Sequence, residues 1–246
     1  MTLLLTLLLA LTLLSCRTAT AGETASPEIE YASPEQSVWT TRLNSDGEPD
    51  NPLFRVAAAL FAKAGIAWHG RSYPAARMFK YLQDGNAQFS MLVQSPALQT
   101  CCLLSRKPVA VTEIRVYHQE NQAPINSLAD LVGKNVITIH GYSYGGLLPF
   151  FNDDANRIHN NVALTHPSAF KMLARQRADY VVDYAGPAAE VLAAEPLPGL
   201  RSELLSRQEV RLVLVKSYPE AAKVMARLEA IAESLDIDKL MRGPKK

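Results

Sequence analysis

The segment Gly141-Tyr142-Ser143-Tyr144-Gly145 has the G-x-S-x-G spacing that puts a serine on a sharp strand-to-helix turn, where its hydroxyl can act as a nucleophile. That chemistry also needs an acid and then a late histidine to take the serine proton. The five histidines are His69, His118, His140, His159 and His166; only the last two follow Ser143, too closely for the expected strand order. A serine hydrolase is therefore the remote alternative, and no catalytic residue is assigned. Metal chemistry has no His-x-x-x-His pair or His–Glu constellation behind it, and no metal ligand or cofactor is expected. Cys101 and Cys102 are adjacent, without the spacing of a metal site or of a redox Cys-x-x-Cys pair. They read as two small buried apolar side chains or as a vicinal disulfide.

The same serine segment reads differently as a binding element. A strand that ends in a Gly-bearing loop and opens a helix offers unpaired N–H groups and the positive end of a dipole to an anion, and residues 141–146 have that form. An ordinary strand-to-helix turn is the plain alternative. Asp183 closes an apolar strand, where α/β clefts hold ligands, and suits a ligand ammonium group or a helix cap before Pro187. Arg77 can clamp a carboxylate in bidentate fashion or be a solvated charge on its helix. Trp39, Tyr142 and Tyr144 can wall a cleft or fill the core.

These residues need a scaffold, and the chain can build one. Its 246 residues are 48% hydrophobic and 20% charged, enough for one large or two small domains. With 25 Lys and Arg against 24 Asp and Glu, no basic field exists to hold a nucleic acid. Residues 1–15 form a Leu-rich run of signal-sequence length, too short for a comfortable membrane span. Two cleavage patterns compete after it: Leu13-Leu14-Ser15-Cys16, which would make Cys16 a lipidated first residue, and Ala19-Thr20-Ala21, which would make 1–21 an ordinary signal peptide. The mature protein is expected to be periplasmic, and to meet a membrane only through a lipid on Cys16.

Past residue 28, short apolar strands alternate with amphipathic helices. Strands are expected to begin at Ile29, at 66–68, at 89–93 and, as a long β-branched run, at 109–117. Between them, 53–64 carries apolar residues at helical spacing with Asn51 to cap, Pro52 at the first position and Gly65 at the end; 74–84 is a helix closed by Gly85. The pattern resumes with a short capped helix at 127–132, a strand at 136–139, helices at 144–151 and 167–177, a strand at 180–182 and a helix at 187–194. A strand at 210–215 and a regular helix over 218–235 finish the chain. The fold class is therefore α/β with mostly parallel strands in two units joined by crossing connections.

Four segments carry a resemblance. Tyr73-Pro74-Ala75-Ala76-Arg77 followed by Gln83-Asp84-Gly85, Ser127-Leu128-Ala129-Asp130-Leu131-Val132-Gly133-Lys134, Gly141-Tyr142-Ser143-Tyr144-Gly145, and Arg177-Ala178-Asp179-Tyr180-Val181-Val182-Asp183 resemble, in this order, segments of the family 3 extracellular solute-binding proteins. The resemblance implies a two-lobed type II periplasmic-binding-protein-like fold, with lobe one at 28–114 plus 210–246 and lobe two at 115–209. It implies a monomer that binds a small polar, amino-acid-like solute between its lobes and hands it to an ABC permease; a sensory or orphan binder is the alternative. Members that bind amino acids carry an Arg after the third strand, where this chain has Gln94-Ser95-Pro96-Ala97, and Ser95 is the candidate ligand contact there.

Overall fold

The computed structural model describes residues 26–39 and 51–242; the leader, Cys16 and the last four residues lie outside the described part. The first half contains β1 (Ile29–Pro34), α1 (Pro52–Ala64), β2 (Trp68–Tyr73), α2 (Ala75–Asp84), β3 (Phe89–Val93) and the short β4 (Cys102–Leu104). The long β5 (Ala110–Gln119) leads out of it. The second half contains β6 (Asn135–Ile139), the one-turn α3 (Leu148–Phe151), β7 (His159–Ala163), α4 (His166–Ala174), β8 (Tyr180–Tyr184) and α5 (Ala185–Ala194). The longest strand, β9 (Leu200–Val215), returns to the first half, and α6 (Ala221–Glu233) and α7 (Ile237–Arg242) follow.

One continuous sheet runs β2-β1-β3-β9-β5-β8-β6-β7, with β4 added on β9. Each half is built alike. Three parallel strands are ordered second-first-third along the chain, and an antiparallel strand closes them: β9 beside β3, and β5 beside β8. β5 and β9 pair with each other along their length and so belong to both halves, with a register slip between Ile114 and Arg115. A bulge of this kind increases local twist and bends the strands.

Local signals explain most elements. Asn51 Oδ1 accepts the Leu53 N–H at 2.9 Å, Pro52 opens α1, and Gly65 at φ 60° closes it, its N–H and that of Ile66 taking the carbonyls of Ala62 and Phe61. That closure uses Ile66 as part of the helix end, so β2 begins at Trp68, two residues later than expected from the sequence. The buried face of α1 sets Phe61 edge-on to Phe89 at 4.9 Å, and Phe54 stacks on Tyr31 at 4.8 Å. This aromatic cluster is the core of the first half; each fully buried side chain of this size contributes about 1.5–3 kcal/mol.

Other expectations need correction. β9 begins ten residues before the expected 210, because its first part alternates polar side chains and carries no apolar run. β4 and β7 were not foreseen; β7, His159-Asn160-Asn161-Val162-Ala163, is a polar edge strand. The helix expected over 144–151 does not form. Tyr144, Gly145 and Gly146 all have positive φ (52°, 65° and 96°), so only a 3-10 turn and the single turn of α3 follow β6. The dipole required by an anion cradle at 141–146 is therefore absent.

Candidate functional site

The carboxyl ends of β1, β2, β3, β6, β7 and β8 converge between the two halves, the place where α/β sheets hold ligands. The loop after β1 is fixed by Asn51, whose amide donates to Ser37 Oγ at 2.7 Å; Ser37 Oγ also accepts the Trp39 N–H at 3.1 Å. One side chain thus caps α1 and anchors the loop that reaches across the cleft. Gln36 Nε2 donates to the Leu164 carbonyl at 2.9 Å, and the Tyr142 hydroxyl donates to the Gln36 carbonyl. Two glycines let the walls meet. A Cβ at Gly186 would stand 2.6 Å from the Trp39 carbonyl oxygen, and one at Gly141 would stand 3.0 Å from Ala75 Cβ.

Two small cavities remain between these contacts. One, about 130 Å³, is bordered by Glu35, Gln36, Ala75, His140, Tyr142 and Leu164. The other, about 30 Å³, is mostly apolar and lies among Val38, Met78, Phe79, Leu92, Tyr142 and Tyr184, with Gly141 and Ser143 at its edge. A larger hollow of about 290 Å³ lies elsewhere, between the Ser105–Val109 loop and α6. It is crossed by the ion pairs Arg106–Glu229 and Lys107–Glu233 and lies beside the end of the single short strand β4, away from the six strand ends that meet at the cleft, so the cleft is the better candidate despite its smaller volume.

Behind Tyr142 lies a sealed polar cluster. Asp183 and His166 are both 0% exposed, with His166 Nδ1 donating to the carboxylate at 2.8–2.9 Å. Asp183 Oδ1 also accepts the Tyr184 N–H at 2.7 Å. The other imidazole nitrogen, Nε2, faces the Tyr142 hydroxyl at 3.3 Å. Three tyrosine rings surround the pair: Tyr142 lies 5.4 Å from Tyr184, and Tyr144 stacks on Tyr184 at 5.8 Å. Burial, and after it the Asp183 carboxylate, pushes the hydroxyls of Tyr142, Tyr144 and Tyr184 well up, so they act as neutral hydrogen-bond groups. The Tyr144 hydroxyl accepts the Ile139 N–H at 2.6 Å and donates to the Val182 carbonyl at 3.2 Å, tying the end of β6 to β8.

The structure therefore sorts the residues singled out in the sequence. Gly141, Tyr142 and Ser143 border the cleft. Asp183 and Tyr144 stand behind it: the Asp183 carboxylate is occupied by His166 and a backbone N–H rather than capping α5, and Tyr144 is a strut. Ser95 is buried just beyond β3, without a side-chain cap bond to the turn after it. Arg77 is exposed on α2. Trp39 is half-buried at the Gly186 contact, its indole N–H buried with no partner among the described residues. The His166 that a Ser143 mechanism would recruit faces Tyr142 instead. Sequence reasoning missed Gln36, His166 and Gly186. His166 stands 17 residues from Asp183 at the start of α4, and no spacing rule joins them.

No protein-family model matches the chain, and no curated protein matches it in sequence. Solved structures do match in shape. A histidine kinase sensor domain with similarity to periplasmic binding proteins superposes with a TM-score of 0.73 at 15% identity, over 89% of this chain and 93% of that one. An ancestral arginine-binding protein bound to arginine gives 0.70 at 15%, over 87% and 96%. The GluR0 ligand-binding core in complex with L-glutamate gives 0.70 at 11%, over 90% and 98%. The chain thus has the two-lobed type II periplasmic-binding-protein fold.

Proposed function

We propose that this chain is an exported family 3 solute-binding protein, not an enzyme, that captures a small polar, amino-acid-like solute between lobe one (28–114 plus 210–246) and lobe two (115–209). The observation that carries this reading is the convergence of six strand ends on a cleft whose walls meet through few polar contacts, at Gln36, Tyr142 and Leu164. Amino acids in the arginine-binding and GluR0 structures support the ligand class. The cavity's own chemistry refines it. Glu35 is acidic and no Lys or Arg borders either cavity among the described residues, so the ligand's ammonium group is held more strongly than its carboxylate. Tyr142, Ser143, Gly141, Trp39 and Ser95 contact the solute, Arg77 meets a carboxylate at the mouth, and Asp183 and Tyr144 act from behind.

Calorimetry of the purified chain against amino acids, polyamines and small carboxylates tests this reading. An amine-bearing ligand should bind, and Glu35→Gln should weaken it; a preference for carboxylates that lack an amine would overturn the assignment. Labelling of Ser143 by a fluorophosphonate probe would overturn the non-enzymatic reading. Delivery to an ABC importer is the expected role, and lost uptake of the ligand on deletion of the gene would support it. The sensor-domain likeness favours a second reading, signalling, for which uptake would persist while a transcriptional response is lost. Retention of a fatty-acid label by Cys16→Ser would remove the lipid anchor.

A further inference from the structure

Successive side chains of a strand point to opposite faces, so neighbouring cysteines in β4 would be kept apart. Here they meet. Cys101 is the last residue of the turn before β4 and Cys102 the first of the strand, paired with Val215 of β9, and their sulfurs lie 2.6 Å apart. The turn is held in place by Lys216, whose N–H donates to the Cys101 carbonyl at 2.9 Å and whose ammonium group donates to the carbonyls of Gln99 and Thr100 at 3.0 and 2.9 Å. Cys101, partly exposed, in contact with a second sulfur and beside an exposed cation, has the surroundings of a reactive thiol rather than of inert core filling.

We propose that Cys101 and Cys102 are a redox-modification site, a vicinal dithiol that low-molecular-weight disulfides convert reversibly to an intramolecular disulfide. Cys101 is the more exposed of the two and is the point of attack. Its thiolate attacks one sulfur of the small disulfide RSSR, forming a mixed disulfide and releasing RS⁻. The Cys102 thiolate then attacks the Cys101 sulfur and releases the second RS⁻. The two thiol protons pass to the two RS⁻ groups, so the protein is oxidised by two electrons and RSSR is reduced to two RSH. Burial, and after it the hydrogen bond with Cys101, pushes the Cys102 thiol up, with Lys216 acting in the opposite direction, so Cys102 is the poorer first nucleophile; it reacts second because its sulfur already lies against that of Cys101.

Reversibility follows from covalent geometry. Disulfides prefer Cα atoms about 4.4–6.8 Å apart, whereas neighbours across a trans peptide are held at about 3.8 Å. Closing the small ring therefore distorts the peptide group, and a distorted disulfide is the labile, regulatory kind.

The test uses the full chain equilibrated in glutathione buffers of graded redox ratio, acid-quenched, alkylated and digested with trypsin. The peptide spanning 81–106 contains Cys101 and Cys102 and no other cysteine. In oxidising buffer it should lose two hydrogens and resist alkylation, and reduced glutathione should restore both thiols. Cys102→Ser should stop at a glutathione adduct on Cys101, and Cys101→Ser should gain none. The proposal is overturned if both thiols stay alkylatable in the most oxidising buffer, if wild type accumulates a persistent adduct, or if the peptide is found cross-linked to Cys16 or to another chain.

Discussion

His69 and His166 each face a carboxylate at about the same distance, and burial makes the two pairs different objects. His69 lies on β2, at the outer edge of the sheet, with Nδ1 3.0 Å from Glu28 and Nε2 3.3 Å from Glu30; its side chain is 48% exposed. Water and salt screen such a pair, which is worth about 0–1 kcal/mol. His166 and Asp183 are 2.8 Å apart with no exposure at all. Desolvating both groups offsets most of their attraction, so the intact pair adds little net stability, but each partner becomes indispensable to the other. The exposed pair is ornamental to the fold; the sealed one fixes where Tyr142, and so one wall of the cleft, can stand.

The largest expected effect breaks the buried pair from one side. His166→Ala should destabilise the protein by about 3–5 kcal/mol in urea unfolding, because the Asp183 carboxylate is left buried and unpaired. Replacing both by leucine should recover most of that loss. If His166→Ala behaved as mildly as a change at His69, the distinction between the two pairs would collapse.

A smaller effect is expected where the halves touch. Gly186→Ala would push a methyl against the backbone of Val38 and Trp39, and overpacking of this kind costs about 1–3 kcal/mol. Because the contact joins the two halves, the cost should appear mainly as weaker binding of the best ligand by calorimetry. An unfolding midpoint that falls while affinity stays unchanged would place the contact outside the binding cycle.

Tyr142→Phe and Tyr144→Phe separate the cleft from its support. Each removes one hydroxyl, worth about 0.5–1.5 kcal/mol per hydrogen bond. Tyr142→Phe should lower ligand affinity, since its hydroxyl reaches Gln36 across the cleft; Tyr144→Phe should lower stability, since its hydroxyl joins β6 and β8 within one half. Identical profiles for the two variants would refute that division.

The smallest effect belongs to the exposed pair. The hydrogen bond to Glu28 raises His69 above its usual value; burial acts in the opposite direction, and the hydrogen bond to Glu30 adds to the rise. Its contribution, under about 1 kcal/mol, should be complete below the unfolded-state value of about 6.5 and vanish as pH rises through the raised folded value. Urea unfolding of wild type and His69→Asn from acid to mildly alkaline pH should show a gap that closes upward; a gap that widens with pH would contradict the sign.

Much of the fold could be read from residue order. α1 was legible because Asn51, Pro52, Gly65 and the apolar spacing between them agree, and β3 because a short apolar run stands between Gly85 and a polar stretch. The failures share a cause. β7 and the first part of β9 owe their strand form to neighbours in the sheet rather than to their own side chains, and the run from Tyr144 to Gly146 is held in left-handed conformations that helical spacing does not reveal.

The sequence by itself determined the alternation of strands and helices, the two-unit plan and the two strand ends at which Tyr142 and Asp183 stand, because caps, turns and apolar periodicity act over a few residues. Only the tertiary structure decided what Asp183 does. Whether its carboxylate meets solvent, a ligand or an imidazole depends on α4 bringing His166 against β8, and on Tyr142, Tyr144 and Tyr184 closing over both. Those contacts join residues far apart in the chain, and their energy comes from excluded water, which no local pattern records.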